Sequence, residues 1–403
     1  MTIMNSEAAF AEWIERARQV TVREELERRG LWSRKMVHDS GVPCPACGGR
    51  DRFAVNEKRN VWFCRASQKG GDALALAEYL DGCDFLTAVE TVTGEARPKG
   101  RGETPEERAE REERQRARLA RIKAEQARAD AQTINWRETE RARCHALWRR
   151  ASPIAGTPVE AYLHWRGCMA PEGARLRFLD DAPYWHNGAV IARAPAMIGA
   201  MIGPGGSFAG VHQTFLDLAT PKGKAALADP KTGEAVDAKK TRGSWKGATV
   251  PLLRCDAPRR FFLGEGIETT LSVWGALAAV RSPLLEGAEF HSACNLGNIA
   301  GLAADREPHP SQRIARKDGR DGGPRKVPGA TPAPAAEDHP IIRLPDGVAE
   351  LFLLGDGDGD QFATGLAMRR ACRRFSRAYP GLVVRVAMAP AGMDFNDMLL
   401  DPV

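Results

Sequence analysis

The sequence predicts a multidomain protein of α/β (α+β multidomain) class, and three observations carry that expectation. A chain of 403 residues is too long for one small folding unit, so two or three are expected. The opening segment holds a cysteine cluster and is followed by a run almost entirely of Ala, Glu, Arg and Lys. The C-terminal part alternates strand-like and helical patterns, which argues for a largely parallel sheet. Apolar content of 43% and charged content of 27% suit a globular protein with ample core. No apolar run approaches the length of a membrane span, and the N-terminus lacks a basic-then-apolar leader, so a cytoplasmic protein with no membrane partner is expected.

Residues 1–96 read as a compact unit. It contains CPACGGRDRF at 44–53 and VWFCRASQKGGDALAL at 61–76. Nine cysteines occur, an odd number of which only the first three cluster, so a disulfide framework is not expected. Cys44 and Cys47 with Cys64 look like a zinc ribbon whose second half is short of one ligand, because Ser67 stands where a fourth cysteine belongs. His38, Cys83, water or no group at all remain open as the fourth donor. The alternatives are three cysteines that merely pack, or a degenerate knuckle that keeps its shape without metal.

Residues 97–147 read as a charged helical linker. Thr104-Pro105-Glu106-Glu107 is a capped helix start. From Arg97 to Arg150 there are 16 basic and 10 acidic residues, a net of +6 that equals the charge of the whole chain. The apolar stripe is too thin for a long coiled coil. A solvated helix is the simpler reading, and a basic helix tracking nucleic acid is the other.

Residues 148–257 carry short strand-like runs, PAMIGAMIG and FAGVHQTFLDL, broken by Gly and Pro as in a meander. Lys222, Lys224, Lys239, Lys240 and Arg242 form a basic, Gly-containing stretch suited to triphosphates, with exposed loop cations as the plain alternative. Residues 258–403 give RFFLGEGIETTLSVWGALAA and then AELFLLGDGDGDQFATGLAMRRACRRF, each a strand, a Gly-bounded acid and a helix. Between them 304–346 is rich in Pro, Gly and charge and reads as a disordered or loosely held insertion.

Why Asp356, Asp358 and Asp360 crowd behind a strand is the central question, since like charges repel unless a cation compensates. An EF-hand loop starting at Asp356 fails, because Gln361 and Ala367 stand where Gly and Glu are required. Functional groups of open α/β sheets gather at strand carboxyl ends, and Glu265 and Asp356 both follow strands. A Mg²⁺ site is therefore expected, against an exposed Asp-Gly turn.

GEGIET at 264–269, GDGDGD at 355–360 and DFND at 394–397 resemble, in order and context, the TOPRIM domain of bacterial-type primases, topoisomerases and some nucleases. The cysteine region, through VWFC, GGD and DFLTAVETVTGE, resembles the CHC2-type zinc domain of primases from phages, plasmids and integrated elements. The segment from GTPVEAYLHWRG resembles the N-terminal part of the primase catalytic core. The resemblance implies a DnaG-like DNA primase with an N-terminal zinc-ribbon-like domain, a mixed α+β core segment and a C-terminal TOPRIM α/β domain. Glu265, Asp356 and Asp358 would be catalytic acids holding Mg²⁺ or Mn²⁺. Asp360 would be a further ligand, and Asp394 and Asp397 the trailing acidic motif. Zn²⁺ would sit on Cys44, Cys47 and Cys64. Single-stranded DNA would meet Arg50, Arg52, Lys58, Arg59, Arg65 and Lys69, with Phe53, Trp62 and Phe63 able to stack on bases or to form a small core. Ribonucleoside triphosphates would be substrates. No Walker A sequence occurs, so any helicase partner would be a separate protein. The other readings are a TOPRIM nuclease or a non-catalytic zinc and DNA-binding protein. None of the four tyrosines has the look of a topoisomerase nucleophile.

Overall fold

Residues 4–37, 41–98, 105–315, 321–336 and 339–400 are described by this computed structural model. The chain divides into two units, Met1–Gln132 and Thr133–Val403.

The first unit begins with helices α1 (Met4–Gln19) and α2 (Val22–Arg28). Four strands follow, β1 (Val42–Cys44), β2 (Gly48–Asn56), β3 (Val61–Cys64) and β4 (Lys69–Gly71), in an antiparallel sheet of that order. Alternation along β3 turns Trp62 and Cys64 inward and Phe63 outward. Trp62 stacks between Phe53, at 5.5 Å, and Tyr79, at 4.8 Å. Phe53 and Trp62 are 0% and 2% exposed, so the option that they stack on bases is corrected: they are the core, and Phe63 alone is open, at 43%. Helices α3 (Ala73–Asp81) and α4 (Phe85–Thr93) start where Asp72 and Asp84 accept the Ala75 and Thr87 N–H groups.

Helix α5 (Pro105–Arg150) is continuous over 46 residues. It runs past the expected linker end at 147 because apolar residues return in its last turns. Cys144 and Leu147 are buried there in the core of the second unit.

In the second unit α6 (Pro158–Trp165) precedes β5 (Leu176–His186), β6 (Ala189–Ile202) and β7 (Phe208–Phe215). After a short ribbon of β8 (Leu227–Ala228) and β9 (Ala235–Val236) comes β10 (Lys239–Gly243). These make the expected antiparallel meander, in the order β10-β7-β6-β5. The second sheet is built from β11 (Val250–Leu253), β12 (Arg260–Gly264), β13 (Ala288–Ser292), β16 (Glu350–Gly355) and β17 (Val383–Met388), ordered β11-β13-β12-β16-β17. Its last four members are mutually parallel and β11 is an antiparallel edge. The central strands read as near-continuous apolar runs because both faces are covered, by α7 (Ile267–Ala279), α8 (Leu296–Ala300), α9 (Gln361–Ala378) and α10 (Phe395–Leu400). Phe262 stacks on Phe290 at 4.3 Å and on Phe352 at 4.4 Å across three neighbouring strands.

Two sequence expectations change here. Tyr162, Leu163, Met197 and Val250 share one apolar cluster with Ile267 and Leu271, so the segments expected as 148–257 and 258–403 fold as a single unit. Within 304–346 the described residues carry structure: β14 (Arg306–Ala315) and β15 (Asp321–Pro328) pair as an antiparallel hairpin, and Ile342 and Leu344 join the main core. Composition concealed this because the hairpin buries few large apolar side chains of its own.

Candidate functional site

The sheet order places β12 at a switch point. From β12 the chain crosses to β13 on one side, then returns to lay β16 on the other. The crevice beyond the carboxyl ends of such a strand pair is where open α/β sheets bind ligands. Glu265 leaves β12 and Asp356 leaves β16 at this point.

Asp356 is half-buried and accepts both of its hydrogen bonds from the Thr269 hydroxyl at the start of α7, at 3.0 and 3.2 Å. Burial, with repulsion from Glu265, Asp394 and Asp358, pushes its carboxyl up to about 6 in spite of Thr269. Burial also raises Glu265, with Asp358 adding repulsion, while the Leu296 N–H and Lys239 pull it back. Gly357 is required between the acids, since a Cβ would run into the carbonyl oxygens of Ala389 and Pro390. Asp358 is exposed at the rim. The three acids share one edge and feel one another. Among the described residues, however, only the cysteines form a set of three or more whose donor atoms all lie within 4.8 Å of one another. As an oxygen-only donor set at one edge the acids are of the chemical type that suits Mg²⁺ or Mn²⁺.

Asp360 has another task. It caps α9, accepting from the Ala363 N–H at 3.0 Å, and meets His309 Nε2 of β14 at 3.1 Å. Asp394 and Asp397 bond reciprocally, each accepting the other's backbone N–H, at 2.7 and 3.0 Å, and so form a capping pair at the start of α10. Between them Asn396 is fully buried. Its amide donates to the Arg166 carbonyl at 2.6 Å and to Ser272 Oγ at 3.0 Å, tying α10 beneath α7.

Sequence reasoning missed Glu268, although it lies inside GEGIET. It is buried beside the crevice, bonded to the Tyr162 hydroxyl at 2.7 Å, Lys224 Nζ at 3.1 Å and Lys239 Nζ at 3.4 Å. Burial opposes its ionisation, but the two lysines and Tyr162 outweigh that and hold the carboxyl well below the usual range. Lys239 also lowers Glu265, so it bridges the buried anion and the acidic edge electrostatically. The signal in sequence was an acid three residues after Glu265 on a helix, with two lysines unaccounted for upstream.

The five basic residues expected to act together are divided by the strand pleat. Lys239 and Thr241 face Glu268 and His212, and Thr241 Oγ1 lies 3.1 Å from His212 Nδ1. Lys240 instead lies over the Tyr184 ring at 5.1 Å. Arg242 pairs with Glu140 of α5 at 2.7 Å and lies over Trp185. Lys222 is exposed in the turn before Lys224.

In the first unit the Sγ atoms of Cys44, Cys47 and Cys64 lie within 4.8 Å of one another, as three ligands of one ion require. Burial opposes ionisation of Cys64, but the Ser67 hydroxyl and amide, together with Tyr79, hold its thiol at about 6. Ser67 Oγ is buried beside the cluster without completing a hydrogen bond of regular geometry, and the Tyr79 hydroxyl is 3.4 Å from Cys44 Sγ. The donor set fits Zn²⁺ at three positions, with hydroxyl oxygen on the fourth side. Cys83 is ruled out as the fourth donor, since it packs beside Trp13 and Val89 with its thiol toward the Ala77 carbonyl. His38 lies outside the described residues, as does the side chain of Arg50. Arg52 and Lys69 are exposed.

Residues 40–74 match a family described as the zinc-binding domain of primase-helicase. The cysteine-bearing part of the first unit is therefore similar to a primase-type zinc domain. Residues 138–252 match a domain of unknown function (DUF7146). Neither match reaches Glu265, so the likeness of 264–397 to TOPRIM rests on its motifs. No curated protein sequence matches the chain. Among solved structures, the primase fragment of the bacteriophage T7 primase-helicase protein matches at 14% identity with a TM-score of 0.30, covering 89% of this chain and 93% of that one. The Aquifex aeolicus primase, with its zinc-binding and RNA polymerase domains, matches at 12% identity and 0.34, covering 96% and 82%. A DNA primase domain from Pseudomonas aeruginosa matches at 11% and 0.34, covering 64% and 73%. Likenesses this distant carry no argument about the chemistry. No helix among the described residues is long and apolar enough to cross a membrane.

Proposed function

We propose that this chain is a DNA primase of the DnaG-like type that joins ribonucleotides on single-stranded DNA, with a TOPRIM-type acidic edge as its catalytic centre. The observation that carries the reading is the pair Glu265 and Asp356 at the ends of adjacent parallel strands, with Asp356 raised to about 6 by burial and like charge. An acid kept in that environment is costly by itself and is suited to a bound cation. In the reaction, a 3′-hydroxyl oxygen attacks the α-phosphorus of an incoming triphosphate, the bond to the β-phosphate breaks, and pyrophosphate leaves. Bound Mg²⁺ or Mn²⁺ supplies charge neutralisation to the attacking and leaving oxygens. Glu265, Asp356 and Asp358 hold the ion, Thr269 fixes the Asp356 carboxylate, and Gly357 lets the Ala389–Pro390 backbone close in. Lys239 and Lys224, set by Glu268, present positive charge to the triphosphate. The zinc domain engages the template. A replicative helicase is the natural partner of such an enzyme.

The test is incorporation of labelled ribonucleotides on mixed-sequence single-stranded DNA, in Mg²⁺ and in Mn²⁺, by the wild type and by Asp356→Ala. Short products that fall at least about a hundredfold in the variant are expected. Cleavage of the DNA without incorporation would replace this reading with a nuclease. DNA binding with neither activity would leave a binding protein.

A further inference from the structure

The β14–β15 hairpin belongs to no motif used above, yet it is built onto the loop that carries the acids. Its base is fixed on both strands. Arg370, 5% exposed on α9, donates to the Pro328 and Gly329 carbonyls, and Arg373 donates to the Ala330 carbonyl at 3.0 Å. On the other strand His309 is buried against Asp360, two residues beyond Asp358, and packs edge-on against Phe362 at 5.1 Å. His309 and Val327 thus form the inner face, while Arg306, Arg313, Arg325 and Lys326 are exposed. Arg325 lies 4.0 Å from Asp360 and bonds Gln312. From 306 to 328 the sequence has seven basic and three acidic residues, a net of +4 in a chain whose total is +6. A solvated ribbon needs no such bias, and a buried stem is more than a solubilising loop requires.

We infer that the 306–328 hairpin is a cationic arm, seated on the acidic loop, that holds the phosphate backbone of single-stranded nucleic acid at the catalytic edge. The inference rests on the primase reading for its choice of strand. Arg306, Arg313, Arg325 and Lys326 contact successive phosphates, and His309 with Arg370 keeps the stem in register with Asp356 and Asp358. Contact through charge to the phosphates makes the binding independent of sequence.

The test uses the full chain and the salt dependence of its affinity for a labelled mixed-sequence oligodeoxynucleotide. The variants are Arg313→Gln/Arg325→Gln/Lys326→Gln and the charge-keeping Arg313→Lys/Arg325→Lys, with circular dichroism and thermal unfolding as fold checks. Each phosphate contact on a single strand contributes about 0.7 to the slope of log affinity against log salt, so the triple variant's slope should fall by about 2. The lysine variant should keep the wild-type slope. Should the triple variant fail to fold, Arg313→Gln alone carries the test, with a fall of about 0.7. An unchanged slope in a folded glutamine variant overturns the inference, as does an equal fall in the lysine variant. Either result leaves the primase reading standing, because that is decided separately by ribonucleotide incorporation.

Discussion

The cysteine cluster and the acidic edge pose the same electrostatic problem and solve it differently. At Cys44, Cys47 and Cys64 the donors come from two strands of one small sheet and the turn between its first two strands, and the backbone brings their sulfurs within bonding reach of a single ion. At Glu265, Asp356 and Asp358 the donors come from strand ends far apart in sequence, and they stop short of that closeness. A soft, tightly bound structural ion calls for a preformed cage, whereas Mg²⁺ keeps water and substrate oxygens and tolerates an open one. The first site should matter most to folding and the second to chemistry.

Removing the zinc gives the largest expected effect. Cys64→Ala should abolish stoichiometric zinc and unfold the first unit, since structural zinc contributes on the order of 10 kcal/mol to such domains. The second unit, with its own clusters, should keep its thermal transition. Metal analysis with two-transition calorimetry checks this. A zinc-free variant whose first transition is unmoved would make Phe53, Trp62 and Tyr79 sufficient for that fold.

How much could be read beforehand follows the same division. Cys-x2-Cys and an acid after an apolar strand are local patterns: the first was legible with its three-sulfur donor set, the second as an acid at a parallel sheet edge. The roles of Glu268, Thr269 and Asn396 were not, because each depends on a partner brought in by tertiary packing: Lys224 and Lys239, Asp356, and Ser272. The basic run at 239–242 looked like one patch until the pleat sent alternate residues to opposite faces. The hairpin was hidden because composition reports how much a segment buries, and its order comes from guanidinium bonds to its backbone carbonyls.

Glu268 sharpens the contrast, because it is an acid of the second unit whose cations are protein groups. Glu268→Gln leaves Lys224 and Lys239 facing each other without their buried anion. Breaking a buried pair costs about 3–5 kcal/mol, and the partial exposure of both lysines favours the lower end, about 3. Denaturant unfolding checks it, and a loss below about 1 kcal/mol would show that the cluster is already solvent-screened.

The smallest expected change has the opposite sign. Asp356 has a folded value of about 6 against an ordinary 3.8, so folding favours its protonated form. The stability it contributes is therefore complete below 3.8 and lost as the pH rises through about 6. Above that, the metal-free protein bears a buried, repelled carboxylate, worth about 3 kcal/mol from the shift and about 1–2 after allowance for its partial exposure. Asp356→Asn keeps an acceptor for Thr269 and removes the charge. Without divalent metal it should be more stable than wild type by that amount at about pH 8 and no different at about pH 4. Adding Mg²⁺ should stabilise the wild type and leave the variant where it was, because a ligand that binds only the native state raises its stability. If the variant gains nothing at high pH, repulsion at the sheet edge is already relieved by solvent, and Asp356 would lose its claim to be a carboxylate waiting for a cation.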